Sequence, residues 1–93
     1  MAENVRAQAY FSGHVQGIGF RFSTVDVADL FPEITGFVRN LRDGRVEVVA
    51  EGPEERVNAF IAAVEEAMGP YIHGVDNSQA PATGEFSDFR IAR

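Results

Sequence analysis

Two strand-like runs, Ile34 to Leu41 and Arg45 to Glu51, flank Arg42-Asp43-Gly44, and the turn between them constrains the chain more than any other feature. Asp followed by Gly favours a type I turn with the Gly left-handed, which closes a three-residue hairpin loop. That register sets Leu41 opposite Arg45, Arg39 opposite Glu47, Val38 opposite Val48 and Asn40 opposite Val46. One face then carries an ion pair and the other carries valines, the pairing that favours a hairpin. A two-residue turn would set Arg39 against Val48 and lose that match. Asn40 is therefore expected on the face of Val38, Val46, Val48 and Ala50, a polar residue at the end of an apolar row.

The remaining elements follow from periodicity. Val5, Ala7, Ala9 and Phe11 alternate with Arg6, Gln8, Tyr10 and Ser12, which predicts a half-buried strand stopping at Gly13. Gly13 to Gly19 reads as a loop and hands over to a helical stripe of Phe20, Thr24, Val27, Ala28 and Phe31, ended by Pro32. Gly52-Pro53-Glu54-Glu55 opens a second helix, with acids near the positive end of its macrodipole. Its stripe is Val57, Phe60, Ile61, Val64 and Met68, and Gly69-Pro70 closes it. Ile72 to Gln79 is expected to be a polar strand, Ala80 to Glu85 a loop, and Phe86 to Ala92 a closing strand. This order predicts an α+β fold: a ferredoxin-like split βαβ sandwich, βαββαβ, with an antiparallel sheet and two helices on one face. A short extra C-terminal strand completes it, and the Phe residues are expected in the core.

A length of 93 residues predicts one domain spanning 1–93. The net charge is -6, and the eight cationic residues, all Arg, are scattered among fourteen acids. That argues against nucleic-acid binding, which needs clustered positive charge, so an anion site here must act through local donors. An RNA-binding domain of similar topology fails on the same ground and on its lack of paired strand aromatics. Cys is absent, which excludes disulfides and thiolate chemistry. Neither a transmembrane stretch nor a signal-like N-terminus is seen, so the chain is expected to be cytoplasmic without membrane contact, and a monomer is expected as well.

The loop His14-Val15-Gln16-Gly17-Ile18-Gly19-Phe20 lies between a strand and a helix N-terminus, where backbone N–H groups lack partners and the dipole favours an anion. Gly17 and Gly19 let the chain curl so that these groups converge, and Arg21 adds a planar fork of donors suited to phosphoryl oxygens. The loop lacks the Lys-Ser/Thr pair of a P-loop and the third Gly of a dinucleotide fingerprint. Taken alone, Arg21 also fits a solvated helix residue and Asn40 a residue serving the hairpin backbone. Adjacent acids such as Glu54-Glu55 and Glu65-Glu66 read as solvated helix faces, and His73 as a surface residue.

Gly13-His14-Val15-Gln16-Gly17-Ile18-Gly19-Phe20-Arg21 resembles the signature of the acylphosphatase family, and Thr35 through Glu47 resembles its second block. The match continues through Val48 to Pro53 and Gly84 to Ile91, in the family's order. The resemblance implies hydrolysis of the mixed anhydride between a carboxylic acid and phosphate, with no metal, cofactor or covalent intermediate. Small acyl phosphates would be the substrates, and inorganic phosphate a product. By alignment, Arg21 and Asn40 are the catalytic residues: Arg21 would bind the phosphoryl group with the loop N–H groups, and Asn40 would orient the attacking water. His14, Val15, Gln16, Gly17, Ile18, Gly19 and Phe20 form the expected phosphate loop.

The sequence departs from the family at His14, where Arg is common, which is expected to weaken the positive field of the loop. Phe37 stands where Trp is usual. The link Leu30 to Ile34 is about one residue longer than the family's, an expected shift of Asn40 relative to Arg21. A noncatalytic anion-binding module of the same fold is the rival reading, and a hydrolysis assay separates the two.

Overall fold

The structure, a computed structural model, describes residues 3–93. The alternating N-terminal run forms β1 (Asn4–Gly13), with Ala7, Ala9 and Phe11 fully buried on one face. After the Gly-rich loop come α1 (Phe20–Ala28), β2 (Thr35–Asn40) and β3 (Val46–Pro53). α2 (Glu54–Met68) leads through a short 3-10 turn at Gly69–Tyr71 into β4 (Ile72–Pro81), and β5 (Phe89–Ile91) comes last. The sheet order is β4-β1-β3-β2-β5, the ferredoxin-like arrangement with one strand added at the β2 edge.

The hairpin has the register its turn dictates. Arg39 pairs with Glu47, Val38 with Val48 and Asn40 with Val46. Leu41 N donates to Arg45 O at 2.8 Å, and Gly44 is left-handed at φ 95°. On the outward face Arg39 Nε donates to Glu47 Oε1 at 2.6 Å. On the inward face the valines join one core with Phe11, Phe20, Val57, Phe60 and Val64, each of them buried. The α2 stripe is buried at all of its expected positions. Phe60 lies edge-on to Phe31 and Phe89, with ring centroids 5.7 and 5.2 Å away, and so ties α2 to the link after α1 and to β5.

Several expectations need correction. α1 stops at Ala28 rather than running to Phe31: Leu30 N bonds Val27 O and Phe31 N bonds Ala28 O, the tighter spacing of a chain leaving a helix ahead of Pro32. With the turn bond from Ile34 N to Phe31 O, the link into β2 is folded compactly.

The sheet is antiparallel through its four long strands, but β5 runs parallel to β2, so the whole is mixed. The segment after β4 crosses the sheet face opposite the helices and enters beyond β2. The closing strand is only Phe89–Ile91, because Phe86 is drawn onto Phe37 at 5.8 Å instead of joining the ladder. β4, despite its polar composition, pairs with β1 from Val5 to Gly13; an edge strand exposed on both faces needs no apolar alternation. Nor are all Phe residues core: Phe22 is 66% exposed, since it lies about 200° around α1 from the core-facing Phe20.

Candidate active site

A row of residues across the sheet relates the candidate site residues to one another. Phe11 pairs with Val46, and Val46 pairs with Asn40. Neighbouring strands lie about 4.8 Å apart, which puts Asn40 two strand spacings from Phe11. β1 ends two residues past Phe11, so the Gly-rich loop leaves the sheet at the end where Asn40 sits. The loop returns as α1, whose Phe20 ring packs on Phe11 with centroids 5.3 Å apart. Arg21 follows Phe20 directly. The topology thus gathers the loop, Arg21 and Asn40 at one end of the sheet.

The loop is anchored by its side chains and left open along its backbone. His14 N donates to Tyr71 O at 2.9 Å, and Val15, 1% exposed, is plugged into the core. Gln16 Nε2 reaches the hairpin, donating to Leu41 O at 2.7 Å and Arg45 O at 2.9 Å. Ile18 packs partly against the core. Gly17 and Gly19 have φ 79° and 82°; a Cβ at either would meet nothing within 4 Å, so the backbone angle and not space demands glycine. Gly19 caps α1 with no side-chain hydrogen bond, and Ser23 N is the first donor of the helix to find an acceptor, Gly19 O at 2.9 Å. Among the described residues, no protein group accepts from the N–H groups of Val15 to Phe22. No carboxylate stands in the sequence between Glu3 and Asp26, and the first turn of α1 has no acid, whereas that of α2 carries Glu54 and Glu55. A negative group from outside therefore meets dipoles and no repelling charge of the same segment.

Arg21 is half-buried and makes no ion pair or side-chain hydrogen bond among the described residues. By contrast Arg6, Arg39, Arg45, Arg56 and Arg90 each pair with an acid. Asn40 is partly exposed, and its amide also has no side-chain partner among the described residues. His14 is exposed, with its ring 6.4 Å from that of Tyr71, and His73 borders Gly13. Chemically, a curl of N–H dipoles with one uncommitted guanidinium can hold an oxyanion, and a neutral amide across from it can orient water.

On the outward face of the sheet, Glu47 is 3% exposed and accepts from Gln8 Nε2 at 2.8 Å and from Arg39. Burial alone would raise its pKa, but these donations and the Arg39 charge hold it below the ordinary carboxylate value. Because Arg39 precedes Asn40, this half-buried pair steadies the end of β2 from behind. The Arg39–Glu47 pair was legible in the hairpin register; the Gln8 contact and the Gln16 bridge were not. The acid-free run from Asn4 to Val25 was an available signal for the open loop. Among the described residues, no group of three or more His, Asp or Glu is arranged to hold a metal, and no helix is long and apolar enough to cross a membrane.

Fold and site together define a ferredoxin-like α+β domain with an open donor loop between its first strand and first helix. The acylphosphatase family model matches residues 7–91. An acylphosphatase of Paenarthrobacter aurescens is 42% identical over 90 residues, covering 96% of this chain and 95% of its own length. Among solved structures, the acylphosphatase from Bacillus subtilis superposes with a TM-score of 0.85 at 29% identity, covering 96% of this chain and 99% of the other. That of Coxiella burnetii gives 0.81 at 27% identity, covering 97% and 94%. The chain belongs to the acylphosphatase family, whose members are hydrolases acting on acyl phosphates.

Proposed function

We propose that this acylphosphatase cleaves the carboxyl–phosphate anhydride of small acyl phosphates by in-line attack of water, releasing carboxylate and inorganic phosphate. In this reading the N–H groups from Val15 to Phe20 and the Arg21 guanidinium bind the phosphoryl oxygens, and the Asn40 amide orients the water. The observation that carries it is the unclaimed run of N–H groups beside an uncommitted Arg21, at the sheet end that also holds Asn40. Phosphoryl transfer through a loose transition state asks mainly for positioning and charge stabilisation. A carboxylate is a good leaving group, so a neutral amide suffices to guide the water and no general base is assigned. His14 lines the loop entrance without a chemical role. The site as proposed is complete within a monomer, the state we assign to the protein, and the lack of Cys is compatible with a reducing compartment such as the cytoplasm.

The test is hydrolysis of benzoyl phosphate, with inorganic phosphate as competitive inhibitor and with activity expected to survive a chelator. Asn40→Ala is expected to abolish turnover while phosphate still binds, and Arg21→Ala to abolish both. Equal loss of phosphate binding in the two variants would overturn this division of roles. A wild-type protein that binds phosphate without hydrolysing benzoyl phosphate would favour the noncatalytic module.

A further inference from the structure

The amide nitrogen of a glutamine carries two protons, and in Gln16 both are committed, one to Leu41 O at 2.7 Å and one to Arg45 O at 2.9 Å. These are the two carbonyls that close the β2–β3 turn, where Arg45 O already accepts from Leu41 N at 2.8 Å and Leu41 O from Gly44 N at 3.2 Å. Gln16 occupies the second acceptor position of each. Leu41 directly follows Asn40, and Arg45 directly precedes Val46, the strand partner of Asn40. One side chain thus grips both strands of the hairpin immediately on the turn side of the Asn40–Val46 pair. Among the described residues, no other side-chain hydrogen bond or ion pair joins residues 14–21 to the hairpin.

We propose that Gln16 is a positioning residue, whose side chain sets the placement of Asn40 against the phosphate loop while its own N–H stays in the loop. This rests on the proposed hydrolytic reading. Each half of the site holds its shape without the bridge: the loop through Val15 and Phe20 in the core, and the hairpin through its turn bonds and the Arg39–Glu47 pair. Removing the bridge therefore loosens only the relation between the halves. Phosphate affinity depends on the loop and Arg21 and should persist. Turnover depends on an amide from the other half and should fall.

Gln16→Met keeps the length and removes both donors. It is expected to lower kcat for benzoyl phosphate by about 10- to 100-fold, the scale of a misplacement near 1 Å, while the inhibition constant for inorganic phosphate stays near the wild-type value. Gln16→Glu keeps the shape but sets a carboxylate against two carbonyls at neutral pH. Its protonated form regains one donor, so its kcat relative to wild type should rise as pH falls from 7.5 to 5, while the Gln16→Met ratio stays flat.

Wild-type kcat in Gln16→Met, parallel losses of kcat and phosphate affinity, or a flat Gln16→Glu ratio would each overturn the assignment. Failure of both variants to fold, read by circular dichroism, would overturn it too, because the bridge would then be holding the fold. A wild-type protein inactive toward benzoyl phosphate is told apart from these results. It removes the hydrolytic reading before any substitution is made.

Discussion

Two stretches of this chain gather backbone N–H groups outside the regular ladders, and they end differently. Behind the sheet, Thr83 N, Gly84 N and the Thr83 hydroxyl converge on the Glu51 carboxylate, each at 2.9 Å. At the end of the sheet, the N–H groups from Val15 to Phe22 converge on nothing within the described protein. Glu51, 4% exposed, makes the first cluster part of the fold: it pins the crossing segment that delivers Phe86 to Phe37 and β5 to β2. The second cluster lies at the surface, with Gly17 and Gly19 exposed, and the packing of Val15 and Phe20 holds it in shape. A donor cluster answered from within is architecture, and in the proposed reading the one held in shape by packing receives the phosphoryl group of the substrate.

The largest expected effect separates the two clusters directly. With inorganic phosphate at about 100 times its Kd, the wild-type protein should gain about 2.7 kcal/mol of unfolding free energy, seen as a raised melting temperature. Arg21→Ala should abolish that gain and lower kcat/KM by about 10³-fold. If phosphate stabilises Arg21→Ala as much as wild type, the open loop is not the receptor.

Glu51→Ala should cost about 2 to 3 kcal/mol in urea unfolding, since it leaves Thr83 and Gly84 donors without their charged acceptor. Its phosphate-induced stabilisation should match that of wild type. A Glu51 variant that loses phosphate binding would show that the two clusters are coupled.

Acid should weaken the filled cluster. Burial would raise the Glu51 pKa, but donation from the Thr83 and Gly84 N–H groups and the Thr83 hydroxyl, with the Arg6 charge, holds it below its ordinary value. A carboxyl whose folded pKa is depressed stabilises the fold above the unfolded pKa and loses that contribution as pH falls through the folded one. Stability should therefore be level above about pH 5 and decline below about pH 4, with Glu47 adding to the slope. Glu51→Gln should flatten the decline, and an unchanged acid limb in that variant would count against the assignment.

The smallest effect belongs to the curl. Gly17→Ala and Gly19→Ala should each cost about 1 kcal/mol, from the left-handed backbone alone, because open space surrounds both positions. Both should weaken the phosphate-induced stabilisation by more than their cost in stability would suggest, measured by the same melting curves.

Much of this could be read along the chain. The Asp43-Gly44 turn set the hairpin register to the residue, and the α2 stripe was buried as its spacing required. Gly17, Gly19 and Arg21 marked the loop. The end of α1 was misjudged because Phe31 continues the apolar period while Pro32 ends the helix earlier through the turn before it. The direction of β5 could not be read along the chain, because strand orientation depends on the path of the preceding segment, and that path follows Glu51, more than thirty residues upstream.

Periodicity and turn chemistry act over a few residues, so the sequence by itself determined most of the elements, their order and the buried faces, and it marked the candidate residues of the site. Contacts between residues distant in the chain are decided only when the elements pack. The Gln16 bridge spans 25 positions, the filling of the Thr83–Gly84 cluster depends on a strand that precedes α2 in the chain, and whether the Val15–Phe22 N–H groups meet a partner among the described residues depends on which elements approach them. Those three features distinguish the two donor clusters, and each arises from tertiary packing because no local interaction could supply or withhold the partner.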